Sequence, residues 1–138
     1  MQFGPKIGVV SCSGEDRCEG TISRLATRRV MDDLRVGKIS TICLPLFLCG
    51  GEGERAFARI FPTITVDGCE KMCAKCGTEQ HSGPVGAALV VTEIIGTENG
   101  LSGARSSRHL TEGDMAAVDK VAQQIAENID NLLVTASR

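Results

Sequence analysis

Apolar residues along this chain fall into four short, dense runs. Between them lie stretches in which apolar positions recur at helical spacing. The first run is Ile7-Gly8-Val9-Val10 and the second is Ile39-Ser40-Thr41-Ile42-Cys43-Leu44. The third is Thr63-Ile64-Thr65-Val66, and the fourth occupies residues 88–95. Each is rich in β-branched residues and bounded by Gly, Pro or Asp-Gly, the pattern of a buried strand. After the first run, Ile22, Leu25, Ala26, Val30 and Leu34 repeat with helical period and predict a helix over 16–35. Ser13 or Asp16 is its candidate cap and Gly37 its stop. Pro45 ends the second strand. The loop 49–54, with three glycines, opens a short helix that Phe61-Pro62 terminates. Asp67-Gly68 turns the third strand into a helix that starts at or near Cys69. Residues 96–108 read as a mobile loop. Thr111 and Asp114 then mimic a capping box before a final amphipathic helix. Its apolar positions are Met115, Val118, Val121, Ile125, Ile129 and Leu132, and it runs to about residue 134.

Strand and helix therefore alternate four times with short connections. That order predicts a single α/β domain of three α-β-α layers around a four-stranded, mostly parallel, Rossmann-like sheet with right-handed crossovers. The carboxyl ends of parallel strands share one edge, where sites form. No internal repeat marks a second unit.

Composition narrows the function. The 138 residues carry a formal net charge of -2, and aromatics make up only 3%, with no Trp or Tyr. Neither an electrostatic footprint for nucleic acid nor a base-stacking platform is implied. No apolar run approaches the ~20 residues of a membrane span. The start of the chain reads as a first strand rather than a signal peptide. The expected setting is a reducing cytoplasm, where seven cysteines point to metal or redox chemistry rather than a disulfide framework.

Six of those cysteines lie at predicted strand ends or just beyond. Cys12 follows the first strand, Cys43 ends the second, and Cys49 sits in the next loop. Cys69 follows the third, with Cys73 one helical turn later and Cys76 beyond it. A helix N-terminus favours thiolate over thiol, and Lys71 and Lys75 add positive charge. Four thiolates in tetrahedral array suit Zn(II). Only Cys18 lies away from the edge, and inert core packing is as good a reading of it as a chemical role.

Other motifs are weaker. Cys69, Cys73 and Cys76 form C-x3-C-x2-C, the spacing of the radical S-adenosylmethionine enzymes, whose larger barrel this chain lacks. An iron–sulfur cluster is the stronger rival to zinc, since its ligand chemistry is the same. The run Cys12 to Arg17 is like the C-x5-R loop of thiol phosphatases, but Arg17 comes one residue early, and Glu15 and Asp16 repel phosphate. Gly50-Gly51-Glu52-Gly53 lacks phosphate-loop spacing and is an acidic turn. His81, His109, Arg105 and Arg108 read as solvated loop residues.

Cys12-Ser13-Gly14 after one strand, Cys43 near the end of the next, Asp67-Gly68-Cys69-x3-Cys73-Ala74-Lys75 and then Thr92-Glu93 resemble the DGC-domain family. Its members are described as zinc-binding proteins with four chelating cysteines and as homodimers. The resemblance covers most of the chain and implies Cys12, Cys43, Cys69 and Cys73 as the metal ligands. Two departures, Cys76 and the segment Leu44-Pro45-Leu46-Phe47 followed by Cys49, add candidate ligands beyond those four.

The sequence thus reads as a small cytoplasmic zinc-binding protein. The alternatives are a thiol redox or sulfur-handling protein and an iron–sulfur carrier or sensor. No general base is well placed, which leans against an enzyme. The final helix offers a candidate apolar face for a dimer, although packing on its own sheet is the favoured account of that face.

Overall fold

The four apolar runs become four strands, two of them shorter than the sequence predicts. A computed structural model describes residues 6–12, 14, 17–96 and 108–136. Strands β1 (Ile7–Ser11), β2 (Ile39–Thr41), β3 (Thr63–Asp67) and β4 (Ala87–Val90) pair in the order β2-β1-β3-β4. All three pairings are parallel, with Val9 opposite Thr41, Val10 opposite Thr65 and Asp67 opposite Val90. The chain steps outward from β1 to β2, crosses back past β1 to β3, and continues to β4. The direction reverses between β1 and β3. The crevice beyond their carboxyl ends is the switch point at which ligands bind in open α/β sheets.

Helices cover both faces. On one lie α1 (Cys18–Arg29), extended by a π-helical turn Val30–Leu34, together with α6 (Val91–Ile95) and α7 (Glu112–Ala136). They bury the main core with Ile7 and Val9 of β1 and Ile64 and Val66 of β3. On the other side α2 (Leu46–Cys49), α3 (Glu52–Arg55) and α4 (Phe57–Ile60) connect β2 to β3, and α5 (Cys73–His81) connects β3 to β4. A smaller core of Val10, Cys12, Phe47, Phe57 and Ala74 sits there. Alternation along β1 thus sends odd positions to one layer and even positions to the other. Gly8 faces the second layer, where a Cβ would stand 2.6 Å from the Phe57 ring.

The second strand stops at Thr41 rather than running to residue 44. It is an edge strand, and the Thr41 hydroxyl donates to the Val9 carbonyl at 2.7 Å, beside the last register pair. The fourth strand ends at Val90 because Asp67, its partner, is the last residue of β3. Residues 91–95 then coil into α6 rather than extend the strand. An apolar run does not distinguish a strand from a buried helical turn.

Both long helices form where the periodicity places them. The first begins at Cys18 rather than residue 16, with Arg17 extended at the cap position and no side-chain cap bond. The proposed caps, Ser13 and Asp16, lie outside the described residues, as does most of the predicted loop over 96–108. Gly37, at φ +76°, follows the helix as expected. At the start of α7 the box is reciprocal. The Thr111 amide donates to Asp114 Oδ2 at 2.8 Å, and the Asp114 amide donates to Thr111 Oγ1 at 3.2 Å. Val118, Val121, Ile125 and Ile129 are buried in the main core, while Met115 is exposed. Among the described residues no helix is long and apolar enough to cross a membrane.

Candidate metal centre

The crevice between β1 and β3 is built by close backbone contact. Cys12 continues the β1 ladder by donating its amide to the Val66 carbonyl at 3.0 Å, and its side chain enters the smaller core. A Cβ on Gly68 would stand 2.7 Å from the Gly20 nitrogen, and one on Gly20 would stand 2.4 Å from the Gly14 carbonyl oxygen. Three segments therefore meet with no room for side chains: the turn after β1, the first turn of α1 and the Asp67-Gly68 turn. Gly68 is needed for this proximity.

That approach fixes the Cys12 sulfur. Its Sγ accepts the Gly68 N–H at 3.3 Å and lies 3.4 Å from Ser23 Oγ. The Ser23 proton goes to the Gly20 carbonyl at 2.6 Å, so the Ser23 oxygen accepts the Cys12 S–H. If that proton leaves, the Gly68 N–H still faces the sulfur.

Asp67 organises the other side. It is buried, and its two oxygens accept the Ala74 amide at 2.6 Å and the Lys75 amide at 3.2 Å. A carboxylate at the end of β3 thereby caps α5 across the intervening loop. The helix begins at Cys73, not at Cys69 as the sequence reading has it. Residues 68–72 form a loop that ends in Met72, a non-glycine residue in the left-handed region at φ 52°. Burial raises the pKa of Asp67, outweighing the two N–H bonds that lower it.

The capping arrangement also reverses the expected chemistry of Cys73. Asp67 occupies the amides that were to favour thiolate. Desolvation raises the Cys73 pKa, and the charges of Asp67, Cys12, Cys69 and Cys76 raise it further.

Three adjoining hollows divide the cysteines. A cleft of about 310 Å³ is lined by Cys12, Cys69 and Cys73, with Arg17, Lys71 and Asp67. A wider groove of about 750 Å³ contains Cys43 and shares Cys12 with the cleft. A third hollow of about 310 Å³ is bordered by Cys73 and His81. Leu44 lines all three and lies against α5, where a Cβ on Gly77 would meet it at 3.0 Å. The structure thus gathers Cys12, Cys69 and Cys73 around one cleft and sets Cys43 in the next.

The remaining candidates stand apart. Cys49 closes α2 and Cys76 lies on α5; both are exposed and line none of these hollows. Cys18 is buried at the start of α1, and none of the seven cysteines forms a disulfide. His81 is the last residue of α5 rather than a loop residue, and His109 is exposed ahead of α7. Among the described residues, no three His, Cys, Asp or Glu side chains are gathered closely enough to hold a metal ion. The donor chemistry suits a thiophilic metal, but the sulfurs are not drawn into a finished ligand set.

Sequence reasoning does not reach Ser23, Leu44 and Met72. Ser23 carries a faint signal, a small polar residue beside Ile22 on the buried stripe of a helix. Leu44 reads as the tail of a strand. Nothing local marks Met72 as left-handed.

The DGC domain matches residues 8–125 of the chain. No curated protein and no solved structure matches it.

Proposed function

The chain belongs to the DGC-domain family, and on that footing we propose that it binds Zn(II) through cysteine sulfur at the carboxyl edge of its sheet. The observation that carries this reading is the cleft at the switch point, lined by Cys12 from the turn after β1 and by Cys69 and Cys73 from the segment after β3. Cys43, from the adjoining groove, is the fourth ligand. Arg17 and Lys71 border the cleft and offset thiolate charge, and the Gly68 amide is already directed at Cys12. Bound there, zinc would supply a tetrahedral anchor for four thiolates. Because the sulfurs are not preassembled, binding is coupled to closure of the segments carrying Cys43 and residues 69–73.

The test is elemental analysis with an absorption spectrum, on protein purified anaerobically without a metal-chelating tag. About one zinc per chain with no visible band is the expected result. Iron with broad visible absorption would replace zinc by an iron–sulfur cluster and bring Cys76 into the ligand set. Absence of metal after incubation with zinc, with every thiol still titrating, would overturn the reading.

A further inference from the structure

The wide groove beside the cleft has features that a metal site does not need. Arg24, Thr27, Arg28 and Met31 line one wall. They stand at i, i+3, i+4 and i+7 of the first helix and its π turn, so they form a single stripe. That stripe faces the segment after β2, where Ile42, Leu44, Pro45 and Leu46 form an apolar wall. Among the described residues that line the groove there are two arginines and no carboxylate, in a chain whose net charge is -2. Both arginines are engaged in the unliganded groove: Arg24 donates to Thr21 Oγ1 at 3.4 Å, and Arg28 is shared with Asp32 through bonds of 3.1 and 3.2 Å between exposed side chains, a pairing that yields readily to a competitor. The volume of about 750 Å³ lies within the range of small-molecule sites. Cys12 and Cys43 close the end toward the cleft.

We propose that this groove is a binding site for a small organic anion, its carboxylate held by Arg24 and Arg28 and its apolar body laid on residues 42–46. Two cationic side chains opposite an apolar wall are complementary to such a molecule. Arg24 and Arg28 do not line the cysteine cleft, whereas the apolar wall carries Cys43, so the groove described is that of the metal-free chain.

The test follows backbone amide NMR signals of the full chain, with metal content measured on the same sample. The probes are naphthoate and its uncharged amide, naphthamide. Naphthoate should produce saturable shifts at Met31, residues 41–44 and Leu46. Arg24→Gln, and separately Arg28→Gln, should weaken it about tenfold, and naphthamide should bind about tenfold more weakly than naphthoate. Metal content should be the same in both variants. No saturable shift, equal binding of the two probes, unchanged affinity in both variants, or shifts confined to residues 67–73 would each overturn the proposal. Saturable naphthoate binding to protein that takes up no zinc would overturn the zinc reading and leave this one standing.

Discussion

Removing the Asp67 carboxylate should weaken the fold and quicken the Cys73 thiol together. In Asp67→Ala both α5 amides lose their acceptor. The Ala74 amide is the serious loss, because Ala74 is fully buried and its 2.6 Å bond has no substitute in water. An unsatisfied buried donor costs about 1–3 kcal/mol. Lys75 is only half-buried, so water can replace the 3.2 Å bond at little cost. Against these losses stands the relief of a buried charge, which the raised Asp67 pKa reveals. The balance is about 2 kcal/mol for Asp67→Ala. For Asp67→Asn it is about 1 kcal/mol, because the amide oxygen keeps one bond while its NH2 meets the other donor. Urea unfolding followed by circular dichroism, with an unchanged m-value, measures both.

The same substitutions remove a negative charge from beside Cys73, one of the causes of its raised pKa. Cys73 in Asp67→Asn should therefore react with iodoacetamide faster than in the parent at neutral pH, by about several-fold, as read by mass spectrometry of its peptide. The sign with pH also follows. A carboxyl group whose pKa is raised on folding binds more protons in the folded state, so its contribution to stability falls as pH climbs from 3.8 toward the raised value, then levels off. Asp67→Asn should flatten that descent. Destabilisation of Asp67→Ala by less than about 0.5 kcal/mol would refute the capping argument. Unchanged or slower alkylation of Cys73 in Asp67→Asn would refute the electrostatic one.

Asp130 should behave in the opposite sense. Arg35 donates to its two oxygens at 2.8 and 2.7 Å and lowers its pKa, so this contribution is present above 3.8 and is lost as pH falls through the depressed value. Because the pair is partly exposed, Asp130→Asn should cost no more than about 1 kcal/mol in neutral urea melts and less at high salt. Gly20→Ala should be damaging, by about 1–3 kcal/mol in the same melts, since the new Cβ has only the Gly14 backbone to move. Gly53→Ala lies within α3 with nothing within 4 Å of the added carbon, and it should stabilise by about 0.5–1 kcal/mol.

How far the sequence predicts this molecule depends on how local each cause is. The α1 and α7 stripes and the Thr111–Asp114 box are properties of a few neighbouring residues, and they read correctly. Strand ends are not local. β2 stops where its only partner's last pairing is made, and β4 stops where β3 does, so both apolar runs outlast their strands. The start of α5 is less local still. A cap read from sequence is sought beside the helix, whereas Asp67 reaches Ala74 and Lys75 across a loop that ends in a left-handed Met72. These two misreadings shape the candidate site. The early end of β2 releases residues 42–44, so Cys43 occupies a groove of its own with Leu44 at its border with the cleft. The late start of α5 puts Cys69 on a loop and Cys73 at the helix start. What the sequence does show is that several cysteines meet at one sheet edge, because parallel topology alone dictates it. In Asp-Gly-Cys the three residues answer separate demands. The carboxylate caps a helix, the glycine admits the α1 backbone, and the cysteine lines the cleft that the first two hold in shape. Moving Cys73 relative to Cys12 therefore means moving the Asp67 cap.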